Sequence, residues 1–255
     1  MLVLFIICFG ASVIGGICGI GGGVLIKPLL DAAGLMSVSQ ASFLSGLTVL
    51  CMSSVNCIRS RNTNQIDTAC SLPLGLGAAI GGISGKYFFE LIKRVSGNDT
   101  LVGQVQTVLL AAMVLFTLVY TLVENRINTK HVKSRLGGIF IGLMLGICSS
   151  FLGIGGGPMN LLVLSWFYSM PVKKASINSL LIIFLSQTAS LVVSILTNAV
   201  PVFSWGDLAV MVLGGIGGGF LSAELRRKIS EEQTKKLFIG LLIAILFICL
   251  FHFFA

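Results

Sequence analysis

The pentapeptide Gly-Ile-Gly-Gly-Gly occurs twice in this chain, at residues 19–23 and at residues 153–157. A stretch this rich in glycine disfavours a regular helix, because each glycine costs roughly 1 kcal/mol relative to alanine. The apolar runs before the two copies, residues 1–17 and 136–152, are suited to lipid, where irregular backbone is tolerated only if protein covers it or it lines a cavity. A shorter apolar run follows each copy. Helices interrupted at corresponding places in two halves of a chain indicate the binding site of a transporter.

The composition places the chain in a membrane. Hydrophobic residues make up 55% of it and charged residues 10%, against roughly 25% charged residues in a soluble domain. We therefore predict an all-α polytopic membrane protein with roughly eight to ten membrane segments. The runs after the two motifs are shorter than the ~20 residues of an upright span, which indicates a broken or re-entrant helix pair in each half. The net charge of +8 does not indicate a nucleic-acid partner here, because the basic residues lie in short loops, where they set topology.

The two halves of the chain resemble each other beyond the glycine motif. Five further residues recur at the same distance from it: Met36 and Met170, Val38 and Val172, Ala41 and Ala175, Ser42 and Ser176, and Ser45 and Ser179. Both halves also contain small residues at four-residue spacing, which let helices approach closely: Gly77, Gly81 and Gly85 in the first, and Gly214, Gly218 and Ser222 in the second. The pattern predicts one membrane transport domain made of two homologous repeats, residues 1–125 and 135–255, joined by a linker at residues 124–135.

The distribution of charge favours an inverted arrangement of these repeats. If the short leg after each motif returns the chain to the side it came from, the loops at 58–67, 124–135, 171–174 and 225–236 share one face and hold 13 of the 17 basic residues. If the short legs do not count, the basic residues divide 11 to 6. The positive-inside rule prefers the first arrangement, with the linker in the cytoplasm. Each repeat then crosses the membrane an odd number of times, so both termini are expected outside the cytoplasmic membrane.

A glycine-rich turn that opens a helix is suited to bind an anion. Its backbone N–H groups lack helical partners, and the helix dipole adds about half a positive charge there. Two such turns meeting near the bilayer centre would form an anion pocket without a buried formal charge. The alternative, that the glycines serve only close packing, stays open. The glycines predicted to bind the substrate are Gly21, Gly22, Gly23, Gly155, Gly156 and Gly157.

Polar side chains near the motifs are further candidates. Lys27 follows the first motif by four residues and either attracts an anion or extends toward the membrane surface. Asn160 follows the second motif by three residues. The helix after each short leg carries hydroxyl and amide groups that suit an oxyanion, although such groups also form ordinary interhelical contacts. These residues are Ser42, Ser45, Ser176, Asn178 and Ser179.

Catalytic and metal-ligating patterns are absent from the apolar runs of the sequence. They contain no carboxylate pair, His/Asp cluster or Ser/His arrangement, and the seven cysteines show no CxxC spacing. We therefore predict neither an enzyme nor a cofactor or metal site. The expected partners are a small anion, the lipid bilayer and, for assembly as a homodimer, a second copy of the chain.

The motifs carry a family resemblance. The pattern Gly15-x-x-Cys-Gly19-Ile-Gly-Gly-Gly23 with Pro28, repeated as residues 153–158 before an Ala-Ser-x-x-Ser pattern, resembles the TauE/SafE family of sulfite and sulfonate exporters over nearly the whole chain. The resemblance implies a cytoplasmic-membrane permease that moves small sulfur-containing anions outward. The second half departs from the first in having no counterpart of Lys27, which leaves the identity of the bound ion open. The alternatives are a transporter of another small solute, such as a metal cation, and a non-transporting membrane assembly subunit.

Overall fold

The chain is helical throughout its described part. The computed structural model describes residues 1–254 except residues 33, 35, 62–64, 97–98, 125–128, 130–133 and 153–155, and within this part no residue lies in a strand. The described helices are α1 (Leu2–Cys18), α2 (Gly23–Ala32), α3 (Val38–Ser60), α4 (Thr68–Ser96), α5 (Asp99–Val123), α6 (Arg135–Leu152), α7 (Gly157–Tyr168), α8 (Val172–Leu196), α9 (Trp205–Lys228) and α10 (Glu231–Phe254). The predicted all-helical class is therefore confirmed for these residues.

Several helices have the length and polarity of membrane spans. Among the described residues, four helical segments are long and apolar enough to cross a bilayer: Ser39–Ser60, Thr68–Gly85, Val172–Leu196 and Trp205–Lys228. Their neighbours present large apolar side chains outward, such as Phe140 at 65% exposure and Phe247 at 68%. Exposed apolar surface on this scale suits contact with lipid chains. The helices thus fit a polytopic membrane protein.

Each glycine motif turns the chain back against the helix that precedes it. A Cβ atom added at Gly15 of α1 would lie 2.7 Å from the amide nitrogen of Gly22, and one added at Gly22 would lie 3.2 Å from the carbonyl oxygen of Ala11. Gly22, the residue before α2, therefore lies beside the second half of α1. α7 runs antiparallel to α6, since the Tyr168 hydroxyl at its end would lie 3.0 Å from a Cβ atom on Gly138, in the first turn of α6.

The glycine rows bring helices of different halves into close contact. Gly77 and Gly81 of α4 lie against the carbonyl groups of Ile139 and Leu143 of α6, with no room for a Cβ atom. Residue numbers rise together in the two helices, so α4 and α6 are parallel. The same holds for α9 and α1: Cβ atoms added at their contact glycines would meet the carbonyl oxygens of Phe5 (3.2 Å, from Gly214) and Phe9 (2.7 Å, from Gly218).

The remaining contacts fix the directions of α3 and α8. α3 runs parallel to α9, because Cβ atoms added at Gly215 and Gly219 would meet the carbonyl oxygens of Thr48 at 2.8 Å and Met52 at 3.1 Å. α8 runs parallel to α4, as its Asn178 and Leu185 contact Ser71 and Gly75 in turn. α3 and α8 run antiparallel, because a Cβ atom on Gly46, near the start of α3, would lie 3.2 Å from Gln187 of α8, whereas Ser60 at the end of α3 lines a cavity together with Ile177, near the start of α8. Helices α1, α3 and α9 therefore point one way, and α4, α6 and α8 point the other way.

One end of the helices gathers the charged loops. Four contacts join them: Lys174 with Asp67 at 3.8 Å, Lys235 with Glu124 at 2.6 Å, the Arg227 guanidinium with the Arg59 carbonyl oxygen at 3.1 Å, and the Lys173 amide with Glu231 at 3.0 Å. We call this end the basic face. At the opposite end, Gln40 donates a hydrogen bond to the carbonyl oxygen of Val202 at 2.7 Å.

Candidate functional site

The first glycine motif forms a tight turn at the end of α1. Gly19 caps the helix in the left-handed conformation, with φ of 76°. The amides of Gly19, Ile20 (3.0 Å) and Gly21 (3.3 Å) all donate to the carbonyl oxygen of Gly15. These three amides therefore close α1, and one of them, that of Gly21, belongs to a predicted binding residue.

The amides without an acceptor follow next along the chain, at the start of α2. The amides of Leu25 and Ile26 donate to the carbonyl oxygen of Gly22 at 3.0 and 2.8 Å. The three amides before them, those of Gly22, Gly23 and Val24, have no acceptor among the described residues. They are buried and lie at the positive end of the helix dipole, where an anion is stabilised.

The second motif meets the first at the start of α7. Residues 153–155 lie outside the described residues, so the role of Gly155 stays a prediction. Gly156 is the N-cap of α7, with φ of 72°, and accepts a backbone hydrogen bond from Asn160 at 2.9 Å. Gly157 lies directly against the carbonyl group of Ile20, without room for a Cβ atom. The start of α7 is thus in contact with the turn between α1 and α2 in the interior.

Two predicted serines of α8 hold the first turn. The Ser179 hydroxyl donates to the carbonyl oxygen of Gly19 at 2.6 Å, and the bond is buried. Gly19 also packs on the backbone of Ser176 so closely that only glycine fits. Because both serines contact the motif, they belong to the candidate site. The Ser176 hydroxyl itself donates within α8, to the carbonyl oxygen of Lys173 at 2.8 Å.

The other predicted side chains have different surroundings. Ser45 of α3 donates to the carbonyl oxygen of Ser42 within its own helix, at 3.1 Å. Asn178 points away from the turns: its oxygen accepts from Ser71 at 2.7 Å and from the Asp67 amide at 2.8 Å, and its nitrogen donates to two backbone carbonyls. Every hydrogen-bonding position of this amide is therefore engaged in fixing the start of α4.

Two further predicted residues lie on the short helices themselves. Lys27 is half-buried in the second turn of α2, where it has an interaction partner. Asn160 is 3% exposed and lies in the first turn of α7, its side-chain oxygen 3.5 Å from the position of a Cβ atom on Gly156. Their roles in substrate binding stay predictions.

The structure adds one residue that the sequence reasoning missed. Arg226 is only 3% exposed, and its guanidinium donates to the carbonyl oxygen of Gly16 at 2.9 Å, to Asn56 at 2.9 Å and to Ser60 at 3.2 Å. From the sequence it was expected among the loop charges of residues 225–236. The available signal was its spacing, because Arg226 continues the four-residue row that runs from Gly214 to Ser222 on the packed side of α9.

A cavity of about 120 Å³ opens beside this arginine toward the basic face. Four of its lining residues are cationic and none is acidic: it is lined by Arg59, Ser60, Gln65, Lys173, Ile177, Ala223, Arg226 and Arg227. Along α8, Ile177 lies between Ser176 and Ser179, which contact the first glycine turn. The cavity therefore lies near that turn, on the side of the basic face.

Comparison with known proteins agrees with this arrangement of apolar helices. The family model described as Sulfite exporter TauE/SafE matches residues 4–248. A relative from Bacillus subtilis (strain 168), described as "Probable membrane transporter protein YunE", is 23% identical over 258 residues, which cover 92% of this chain and 90% of that protein. No solved structure matches the chain. The resemblance predicted from the motifs is confirmed, and the chain belongs to the sulfite exporter TauE/SafE family.

Proposed function

We propose that this membrane transporter exports a small sulfur oxyanion, such as sulfite or a short sulfonate, and binds it where α2 and α7 begin. The observation that carries the proposal is the contact between Gly157 and Ile20, because it places the N-terminus of α7 against the buried turn that leads into α2. Each short helix, with 10 and 12 residues, is long enough to have a dipole of its own. Two converging dipoles favour an anion over a neutral or cationic solute.

The donors on the α2 side are specific. Three consecutive amides, those of Gly22, Gly23 and Val24, lack acceptors among the described residues and lie at one helix end. Such a group can satisfy the oxygens of one small oxyanion. On the α7 side Pro158 has no N–H group, so Gly157 and Met159 carry the corresponding donors. The side chains of Ser179 and Asn160 would flank the ion.

The directions of the helices support two inverted halves, residues 1–125 and 135–255, in a single domain. Each helix of the first half points opposite to its counterpart in the second: α1 opposite to α6, α3 to α8, and α4 to α9. In the second half α7 returns toward the end from which α6 came, and we infer the same of α2 in the first half. We interpret α1–α2 and α6–α7 as re-entrant pairs that enter from opposite faces and meet in the middle.

The basic face is proposed to be cytoplasmic, which places both termini outside. The orientation follows from the positive-inside rule, and the contacts among the four charged loops support it. A membrane potential of ~150 mV, negative inside, favours expulsion of a monovalent anion by roughly 3.5 kcal/mol. This driving force suffices for export without a coupled ion, so we propose uniport.

Efflux from proteoliposomes tests the function. Purified protein is reconstituted in vesicles loaded in turn with sulfite, thiosulfate, a short sulfonate, sulfate or chloride, and efflux is compared with that from protein-free vesicles. The proposal expects at least one of the sulfur oxyanions to leave faster than chloride. Transport of a cation or neutral solute in place of all of them would overturn it.

A further inference from the structure

We propose that the cavity at the basic face is a second anion site, a vestibule that takes a small oxyanion before it reaches the glycine turns. The inference deepens the proposed function and rests on it for the identity of the ion. Three features support it: the charge of the lining, the burial of Arg226, and the position of the cavity along α3 and α8.

The lining favours an anion and matches its size. Arg59, Lys173, Arg226 and Arg227 line the cavity without a carboxylate among them. Arg59 pairs with Glu224 at 3.6 Å. Among the described residues, the other three cations have no acidic side chain within ion-pair distance. A cavity of about 120 Å³ is several times what one water molecule needs, so it has room for a small oxyanion with some water.

Arg226 distinguishes this cavity from a surface patch of loop charges. Its guanidinium is buried, and its three acceptors on Gly16, Asn56 and Ser60 are all neutral. Among the described residues no carboxylate pairs with it. A buried charge is stabilised when an opposite charge joins its hydrogen-bonded neighbours, so an oxyanion in the cavity would supply the missing counter-charge. The planar guanidinium also suits recognition of oxyanions.

The position of the cavity links the basic face to the proposed binding site. Along α8, Ile177 lines the cavity, Leu180 follows one turn later, and Ile183 lies against Gly21 of the first turn. Leu180 and Ile183 form a buried apolar cluster with Val49 and Met52 of α3. This apolar cluster therefore lies, along α8, between the cavity and the contact with Gly21.

The test compares two charge-neutralising variants of adjacent residues. Arg227→Gln removes a charge that lines the cavity, whereas Lys228→Gln removes an equal charge that pairs with Glu224 outside it. Both residues are exposed at the end of α9, so both variants should fold. Arg226→Lys and Arg226→Gln are added to test the guanidinium itself. Because Arg226 is buried, these two variants are more prone to misfold than the variants at Arg227 and Lys228.

Two readouts are needed: binding of radiolabelled sulfite to the detergent-purified chain, and sulfite transport into inside-out vesicles, which present the basic face. Arg227→Gln should raise the half-saturating sulfite concentration in both readouts by about tenfold, typical for loss of one charge-assisted hydrogen bond, and Lys228→Gln should leave it unchanged. Equal half-saturating sulfite concentrations for Arg227→Gln and Lys228→Gln would show that the proposed vestibule is wrong. If the parental chain binds sulfite in an Arg227-dependent way but transports none, the vestibule stands and the proposed function is wrong.

Discussion

Valine at Gly21 is the sharpest test of the glycine turns. Gly21 has φ of 75°, and a left-handed conformation costs an L-residue roughly 1–2 kcal/mol, more for a β-branched one. A Cβ atom there would lie 3.2 Å from Ile183 and 3.3 Å from Val49, so the two methyl groups of valine would overpack the apolar cluster at roughly 1–3 kcal/mol. The two effects together amount to roughly 2–5 kcal/mol, applied at the point where α2 begins.

The expected result is a loss of transport per folded molecule. A displacement of the α2 amides that weakens anion binding by ~2 kcal/mol lowers affinity about thirtyfold. The assay is sulfite efflux from proteoliposomes, normalised to the amount of monodisperse protein recovered after size-exclusion chromatography. The account of the glycine turns is refuted if Gly21→Val inserts normally and transports at the parental rate, because the glycines would then be packing residues.

Two control variants separate the effects of backbone conformation and of helix packing from an effect on the binding site. Gly34→Val introduces the same residue at φ of 60°, where no atom of the described residues lies within 4 Å of the added Cβ atom, so it should carry the conformational cost alone and transport like the parent. Gly81→Val forces a side chain into the Leu143 backbone across the α4–α6 contact. It should lower the amount of folded protein while the surviving molecules keep their activity.

Three further predictions concern the side chains and the orientation. Ser179→Ala should raise the half-saturating sulfite concentration a few-fold in the efflux assay, since it removes one buried hydrogen bond worth ~1 kcal/mol from the first turn; an unchanged value would remove this serine from the site. Lys27→Ala, measured in the same efflux assay, distinguishes two roles of this lysine. Transport should fall strongly if Lys27 provides positive charge at the pocket, and should stay unchanged if Lys27 only anchors α2 at the membrane surface. Single-cysteine tags at Ser230 and Val200 should react with a membrane-impermeant reagent from opposite sides, Val200 from outside; labelling of both from one side would contradict the proposed orientation.

The sequence was informative where a pattern was local or repeated. Glycine content, apolar run lengths and the duplicated pentapeptide predicted an all-helical membrane chain of the family it belongs to. The spacing that matches Ser179 with Ser45 also directed attention to α8, where Ser179 contacts the first turn. These features depend on short-range periodicity, which one sequence contains in full.

The details of hydrogen bonding were not predictable in the same way. The amide of Gly21 was expected in an anion pocket, but it closes α1, because the turn folds back until Gly15 can accept it. Asn178 was grouped with the serines by spacing, yet two of its partners, Gln65 and Asp67, lie in a loop more than a hundred residues away. Arg226 carries the sequence signature of a loop cation, and only the packing of α9 against α1 and α3 buries it. Tertiary contacts decide such cases.

The voltage dependence of sulfite efflux tests the central claim most directly. Proteoliposomes loaded with sulfite are held at a series of membrane potentials set by potassium gradients and valinomycin, and initial efflux rates are compared with those of vesicles containing Gly21→Val. An exporter that moves an anion without a coupled ion should release sulfite faster as the interior becomes more negative, driven by about 2.3 kcal/mol per 100 mV for each charge. Sulfite efflux at the rate of protein-free vesicles at every potential would contradict the account.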